Sequence, residues 1–294
     1  MTSILVVTYN RKQCLKRCLD SLHNQFFHKK YEVIIIDNGS TDQFKDLIRE
    51  QVYGRIKWLR NPQRLDLATC KSIGLKHASG DRIAFIDDDC VASKDWLSHI
   101  ENSLESCDFV GGPVLPFPEA KFPFWWGSSF NWLVGINPRP DDKFLPLGSN
   151  IAFKKHVLEA LEENAKHAPS ADLSYLPYAE DNYRVKEALK RKFSLKINQD
   201  MIVFHDIPLQ RLKIGYLLKR SFREGIAEAR WRKDSRYLFS SLMGLFVNPA
   251  RMLICLDFSR FFRLISNISY ILSYMRQSVL FSYRWDDPNK KIKR

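Results

Sequence analysis

The stretch Arg82-Ile83-Ala84-Phe85-Ile86-Asp87-Asp88-Asp89 is the most informative feature of this 294-residue chain. Its apolar half is typical of a buried strand, and three consecutive carboxylates follow it directly. Burying carboxylates without partners costs several kcal/mol each, so we expect them at the exit of the strand rather than in a core. A divalent cation would relieve their repulsion, because Mg²⁺, Mn²⁺ and Ca²⁺ accept oxygen ligands. A solvated acidic turn before a helix is the alternative that the triplet alone leaves open.

Three strand–helix units precede this stretch. The predicted strands are Ser3–Tyr9, Tyr31–Asp37 and the weaker Ile56–Leu59. Apolar spacing predicts helices over Cys14–Leu22 and Leu65–Ala78, and a capping box of Ser40 and Gln43 predicts one that runs to about Tyr53. Strands without polar alternation that are joined by helices indicate an α/β fold with a parallel sheet covered on both faces.

Polar residues follow the predicted strands at their carboxyl ends, as Tyr9-Asn10-Arg11, Asp37-Asn38 and Asp87–Asp89. Ligands of open parallel sheets bind outside these ends. No Gly-x-Gly-x-x-Gly follows a strand and no Gly-x-x-x-x-Gly-Lys occurs, which disfavours a dinucleotide site and a P-loop. The pattern therefore predicts a nucleotide held by side-chain carboxylates and a metal.

Six segments resemble, in order and spacing, the motifs of the family 2 glycosyltransferases of GT-A fold. They are Ser3–Arg11, Val33–Asp42, Phe85–Asp89, Gly148–Phe153, Glu180–Arg184 and Val203–His205, which together extend over about residues 2–206. The resemblance implies a mixed, mainly parallel sheet with helices on both faces. It also implies an inverting transfer of one sugar from a nucleoside-diphosphate sugar to an acceptor hydroxyl.

The resemblance assigns roles to residues of this chain. Thr8 would lie under the base, Asp37 would hold the base or ribose, and Asp87 would contact the ribose. Asp89 would bind the Mg²⁺ or Mn²⁺ that bridges the diphosphate, because a cation stabilises the charge that the leaving group gains. The full set expected to contact the donor is Thr8, Tyr9, Asn10, Arg11, Asp37, Asn38, Lys71, Asp87 and Asp88.

The remaining roles belong to residues near the end of the resemblance. Inversion needs a general base opposite the leaving group, for which Asp181 is the first candidate and Glu180 the second. Acidic residues are also common in a first helical turn for stability alone. His205 is expected to complete the metal site or contact the diphosphate, although a histidine at a strand end is often structural.

Two departures from the family pattern qualify the resemblance. Many members have Ala-Arg-Asn-x-Gly where this chain has Cys70-Lys71-Ser72-Ile73-Gly74, and Lys71 lacks the bidentate fork of arginine. The Gln-x-x-Arg-Trp signature of processive synthases occurs only as Ala227-Glu228-Ala229-Arg230-Trp231. The second departure predicts transfer of a single sugar rather than polymer extrusion.

A segment rich in proline and aromatic residues occupies residues 111–148. Its prolines exclude long regular elements. Most of its aromatic side chains are expected to pack a loop onto the core. Trp125 and Trp126 are the ones that we consider for contact with an acceptor or a membrane.

Positive charge is concentrated in the last 84 residues. The whole chain has a net charge of +13, and residues 211–294 contain 18 Lys and Arg against 6 Asp and Glu. We therefore predict two domains, a catalytic domain over 1–210 and a basic helical appendage over 211–294. Leu209–Arg236 has the spacing of a basic amphipathic helix, and the later apolar runs are too short to span a bilayer.

Three partners are considered for this appendage. A membrane surface is the first, because each basic residue near an anionic leaflet contributes up to ~1 kcal/mol. Helical packing or oligomerisation is the second. Nucleic acid is disfavoured, because no zinc-ligand spacing, recognition helix or RNA-binding aromatic motif accompanies the charge.

The six cysteines show no disulfide framework and no Cys-x-x-Cys, and no signal peptide is recognised before Ile4. Reduced thiols and a cytoplasmic enzyme are therefore expected. The basic appendage adds the expectation that the enzyme is peripheral at the inner face of the cell membrane. The acceptor would be a glycan or a lipid-linked intermediate of cell-surface glycan assembly. A nucleotidyltransferase or an inactive sugar-nucleotide-binding relative is the alternative; a nucleotidyltransferase would need Asp89 but not a base at Asp181.

Overall fold

A computed structural model describes residues 1–42, 56–141, 145–165 and 179–231, together with 265, 267, 268, 271 and 272. The chain divides into two compact units. The first contains Met1–Ala120 and Gly135–Ile207, and the second contains Lys121–Val134 and the chain from Pro208 onward.

The first unit contains ten strands and five helices in the described residues. The strands are β1 (Thr2–Thr8), β2 (Tyr31–Asp37), β3 (Ile56–Arg60), β4 (Arg82–Phe85), β5 (Cys90–Ala92), β6 (Phe109–Gly111), β7 (Val114–Pro116), β8 (Ile151–Lys154), β9 (Leu195–Ile197) and β10 (Val203–His205). The helices are α1 (Lys12–His23), α2 (Leu67–His77), α3 (Trp96–Leu104), α4 (Lys155–Ala165) and α5 (Ala179–Lys190).

The main sheet has seven strands in the order β3-β2-β1-β4-β8-β6-β9. Its first four strands are parallel, and β8 runs antiparallel to both β4 and β6. In the register of β1 and β2, Thr8 lies opposite Asp37, so both strands end at the same edge. The polar segments that follow β1, β2 and β4 therefore meet at that edge.

Both faces of the main sheet are buried, because successive residues of its central strands alternate between two apolar clusters. Ile4 and Val6 belong to a cluster with side chains of α1 and α3, whereas Leu5 belongs to one with side chains of α2, α4 and α5. Val33–Ile36 divide in the same alternating way. A strand buried on both faces needs an unbroken apolar run, which explains the sequences of β1 and β2.

A second sheet of three strands, in the order β5-β10-β7, lies beside the exit of β4. The fully buried Asn150 connects it to the main sheet. The Asn150 amide nitrogen donates to the carbonyls of Pro113 (2.7 Å) and Met201 (2.6 Å), and its oxygen accepts from the indole nitrogen of Trp96 (2.8 Å). These hydrogen bonds satisfy a buried amide, as a protein interior requires.

The predicted α/β class with a mainly parallel sheet and helices on both faces is confirmed. The helix expected from Ser40 to about Tyr53 lies largely outside the described residues. The region Val203–His205 is a strand as expected, but it belongs to the second sheet, which the sequence did not predict.

The second unit contains the 3₁₀ helix Ser128–Val134, the 3₁₀ helix Leu209–Leu212 and α6 (Ile214–Trp231). The first of these packs against α6. Trp125 and Trp126 surround the buried Phe130, with ring centroids 6.1 and 5.6 Å away. Helix α6 lies within the predicted Leu209–Arg236 helix, and most of the predicted appendage beyond it lies outside the described residues. Among the helices that the structure describes, none combines the length and apolar character of a membrane span.

Candidate active site

Two buried carboxylates, Asp88 and Asp89, lie side by side after β4, exposed by only 4% and 6%. The guanidinium of Arg11 bridges them, with Nη1 donating to Asp88 Oδ1 (3.1 Å) and to Asp89 Oδ2 (2.8 Å). The Thr8 hydroxyl donates to Asp88 Oδ2 (2.8 Å). The carboxylates thus lie at the strand exit as expected, but they are buried there because a cation and a hydroxyl compensate them.

The electrostatics of this group follow from burial. Burial and the neighbouring Asp89 carboxylate raise the pKa of Asp88 to about 7, although Arg11 and Thr8 oppose the shift. Burial lowers the pKa of the Arg11 guanidinium, but the negative charges of Asp89 and Asp88 raise it by more. The pKa of Arg11 is therefore raised above its ordinary value. One cation therefore only partly offsets two buried carboxylates, so the group retains an affinity for more positive charge.

His205, at the end of β10, faces the Asp89 carboxylate. Its Nε2 is 3.4 Å from Asp89 Oδ1, and its Nδ1 is 3.2 Å from the carbonyl oxygen of Gly135. A carbonyl only accepts, so we assign the hydrogen to Nδ1, which donates to Gly135. In the neutral ring Nε2 then directs a lone pair at a carboxylate oxygen, which is favourable only with a proton or a cation between them.

This arrangement fits a divalent cation. Within the described residues, Asp89, Cys90 and His205 each place one ligand atom within 4.8 Å of the other two. Carboxylate oxygen and imidazole nitrogen are accepted by Mn²⁺, and carboxylate oxygen by Mg²⁺. Burial and the Asp89 and Asp87 carboxylates raise the pKa of the Cys90 thiol.

The loop after β2 is held to the loop after β1. Asn10 has a left-handed backbone (φ 52°), and its side-chain oxygen accepts from the Thr41 amide (2.7 Å). Asp37 Oδ1 accepts from the Ser40 amide (2.9 Å), and its Oδ2 is 3.8 Å from Arg60 Nε. The Asn38 side chain exchanges two 2.8 Å hydrogen bonds with the backbone of Leu65. Asn10 and Asn38, predicted as donor contacts, therefore also shape the edge.

Two further cations surround the ring of Phe85, the last residue of β4. Lys71 Nζ lies 5.3 Å and Arg184 Cζ 5.7 Å from the ring centroid, and Lys71 is buried. Arg64 Cζ lies 4.3 Å from the centroid of the half-buried Tyr9 ring, which follows β1. Positive side chains thus lie near the ends of β1 and β4, from which the carboxylates and Tyr9 follow.

Five of the residues predicted from the sequence lie together in the structure. The structure brings Thr8, Arg11, Asp88, Asp89 and His205 into one hydrogen-bonded and ionic group. The half-buried Asp87 begins the turn after β4, and its carbonyl accepts from the Cys90 amide (3.1 Å). Glu180 and Asp181 lie in the first turn of α5, and their side chains lie outside what the structure describes.

Sequence reasoning missed Gly135, Cys90 and Arg184. Cys90 follows the carboxylate triplet directly, and Arg184 lies within the acidic motif, so both had a local signal. Gly135 had none, because only the tertiary structure brings it to His205.

Known proteins resemble this chain in sequence. The family model for glycosyl transferase family 2 matches residues 3–161, more than half of the chain. The chain belongs to glycosyltransferase family 2. It is 26% identical to glycosyltransferase AglE of Haloferax volcanii over 242 residues, which are 79% of this chain and 74% of the relative. It is 28% identical over 168 residues to the glucosyl-dolichyl phosphate glucuronosyltransferase of the same organism, which covers 53% of each chain.

Solved structures share the fold of this family 2 glycosyltransferase. The mannosyltransferase PcManGT from Pyrobaculum calidifontis, in complex with GDP-Man and Mn²⁺, superposes with a TM-score of 0.67 at 16% identity, over 95% of this chain and 86% of that one. S. aureus TarS in complex with UDP gives a TM-score of 0.54 at 16% identity, over 99% and 94% of the two chains. At these identities the likeness concerns the fold alone, and it confirms the predicted GT-A class.

Replacing Gly135 tests whether this residue positions the His205 imidazole. Gly135 has a φ of +74°, and a Cβ there would lie 3.0 Å from Cε1 and 3.1 Å from Nδ1 of the imidazole. We expect Gly135→Ala to lower the free energy of unfolding by about 1–3 kcal/mol through backbone strain, and to shift the His205 ring nitrogen resonances in NMR spectra.

Gly215→Ala is the matched control, because that glycine lies in α6 with nothing within 4 Å of the added Cβ. The control should be neutral or stabilising by up to about 1 kcal/mol. Equal stabilities of the two variants and an unchanged His205 spectrum would contradict the role given to Gly135.

Proposed function

We propose that this enzyme transfers one sugar from a nucleoside-diphosphate sugar to an acceptor hydroxyl with inversion, and that it depends on a divalent cation. The observation that carries the proposal is the buried Asp88–Asp89 pair with Arg11 and His205 at the carboxyl edge of the sheet. The structural neighbours support the donor class, because their complexes contain GDP-Man, UDP and UDP-GlcNAc.

Asp89 and His205 would hold the cation, Mg²⁺ or Mn²⁺. When bound, it would stabilise the negative charge that the diphosphate gains as the bond to the sugar breaks. Arg11 shares Asp89 Oδ2 and is 41% exposed, so its side chain can turn toward solvent or toward a donor phosphate. Thr8 and Asp88 form the buried support of this group.

The remaining donor contacts surround this centre. Asp37 and Asn38 would line the nucleoside side together with Tyr9, Asn10 and the ribose contact Asp87. Lys71 would supply positive charge near the diphosphate, and Arg184, which also lies near the Phe85 ring, would reinforce it. The flanking cations attract an anionic donor to an edge that its own carboxylates would otherwise repel.

Asp181 would act as the general base, with Glu180 as the second candidate. Both lie in the first turn of α5, where the helix dipole favours the carboxylate form. In a single displacement, the base removes the acceptor proton while the acceptor oxygen attacks the sugar carbon and the diphosphate leaves from the opposite face.

The second unit would attach the enzyme to the membrane surface, at the inner face, where a glycan or lipid-linked acceptor would be reached. Phe124 is 90% exposed and Leu209 67%, and Lys213, Lys219 and Arg223 are exposed on and just before α6. Apolar side chains beside exposed cations favour an anionic lipid surface. A relative named for glucosyl-dolichyl phosphate supports a lipid-linked acceptor.

Removing Asp89 should abolish cation-dependent donor binding. In titration calorimetry, we expect Asp89→Ala to bind sugar nucleotides weakly, because the carboxylate that would hold the cation is lost. Its affinity should be the same with and without EDTA. Glu105→Gln, an exposed carboxylate at the end of α3, is the control and should behave as the native enzyme. A native enzyme whose donor affinity is insensitive to EDTA, or an Asp89→Ala variant that binds the donor as tightly as the native enzyme, would overturn the cation assignment.

Replacing the base should separate catalysis from donor binding. Asp181→Asn is expected to leave the donor Kd within a few-fold and to lower kcat by roughly 10²–10⁴, the range for a lost general base. Glu180→Gln is the matched control and should retain most of the activity. The opposite outcome, with Glu180→Gln inactive and Asp181→Asn active, would move the role to Glu180. Full activity of both variants would remove carboxylate catalysis from α5.

Vesicle binding tests the second unit. The full chain should co-sediment with anionic vesicles, and less so as salt rises, because the screening length shrinks to ~8 Å at physiological ionic strength. We expect weaker binding after Lys213, Lys219 and Arg223 are changed to Gln together, after Phe124→Ser, and in a chain ending at Gln210. Changing the exposed Lys30, Lys94 and Lys196 of the first unit is the control. A full chain that stays in the supernatant at low salt would leave helical packing or oligomerisation as the role of this unit.

A further inference from the structure

The two-stranded pairing of β5 with β10 brings Cys90 beside the cation site. Cys90 and His205 are direct partners in this antiparallel pair. Residues directly opposite each other in an antiparallel pair project to the same face of the sheet, with Cβ atoms about 4.5–5.5 Å apart. The Cys90 thiol and the His205 imidazole therefore share a face, and Asp89 precedes Cys90 in the chain.

The three ligand atoms are close enough to hold one ion. Asp89 Oδ1 and His205 Nε2 are 3.4 Å apart. The Cys90 Sγ lies within 4.8 Å of a ligand atom of each of these two residues. Two ligands with bonds of roughly 2.0–2.1 Å to a tetrahedral ion lie about 3.3 Å apart. All three residues are buried, with exposures of 6%, 0% and 5%, so water competes weakly for the ion.

We propose that Cys90 is a third protein ligand of the cation, which makes the site an oxygen–nitrogen–sulfur site with a preference for thiophilic divalent ions such as Zn²⁺ and Co²⁺ over Mg²⁺. The inference rests on the proposed cation site at Asp89 and His205. On binding, the S–H bond of Cys90 breaks, the sulfur bonds the metal as thiolate, and the proton leaves to solvent. Thiolate and imidazole favour zinc and its neighbours, whereas Mg²⁺ takes oxygen ligands.

Three ligands on a four-coordinate ion leave one position open. An oxygen of the donor diphosphate has the charge to fill it. Because one ligand is sulfur rather than oxygen, the site should bind Zn²⁺ more tightly than a site made only of carboxylates would. Zn²⁺ should therefore displace Mg²⁺ from it at a far lower Zn²⁺ concentration.

Cobalt spectroscopy of the full chain tests the assignment. Titration of the metal-free native protein with Co²⁺ should produce sulfur-to-cobalt charge-transfer absorption in the near ultraviolet that saturates at one equivalent. Cys90→Ser should lose this band, and its affinity for Zn²⁺ should fall by at least about tenfold while its affinity for Mg²⁺ changes by less than about threefold. Cys18→Ser is the matched control, because that thiol is equally buried in the same apolar cluster. It should keep the band.

The outcomes separate this inference from the proposed function. Stoichiometric Co²⁺ binding without the band, or a band that persists in Cys90→Ser, overturns the Cys90 assignment and leaves the Asp89–His205 site standing. A native protein that binds no Co²⁺, Zn²⁺ or Mn²⁺ overturns both. If Cys90→Ser does not fold, Cys90→Ala takes its place. Loss of the charge-transfer band in Cys90→Ala would then support Cys90 as a ligand, and retention of the band would overturn it.

Discussion

The compensation of two adjacent buried carboxylates by Arg11 is the interaction on which the site depends. Asp88 and Asp89 emerge from β4 into an interior where unpaired charges would cost several kcal/mol each. Arg11, which immediately precedes α1, Thr8 at the end of β1 and His205 at the end of β10 supply the partners. Three strands and a helix are therefore held at one point by charge rather than by apolar contact alone.

The rest of the edge is arranged around this point. Asn10, Asp37 and Asn38 connect the loops after β1, β2 and β3 through backbone hydrogen bonds, so the floor of the edge is built before any ligand binds. Polar side chains used in this way order the loops by hydrogen bonds to their backbone amides and carbonyls. Because these loops are already ordered, the binding of a nucleotide would cost less conformational entropy than binding to mobile loops.

The chemical character of the centre follows from its ligand atoms. One carboxylate oxygen and one imidazole nitrogen face each other across 3.4 Å, with the imidazole oriented through the carbonyl of Gly135. Orientation of a histidine by a second hydrogen bond sets which nitrogen can bind a metal. If the proposed cation binds there, the adjacent thiol of Cys90, which strand pairing brings to His205, would set the preference between hard and soft ions.

The sequence by itself determined the α/β class, the parallel strands and the three polar strand ends, because apolar runs without alternation and the residues that end them are local signals. It also predicted that Arg11, Asp88 and Asp89 lie at one edge of the sheet, since parallel strands end at the same edge. It did not determine that the carboxylates would be buried, because burial depends on partners supplied by distant segments. Only the tertiary structure decided the second sheet, and with it the approach of Gly135 and Cys90 to His205, because three-residue strands carry too little periodicity to be predicted and their register sets which side chains meet.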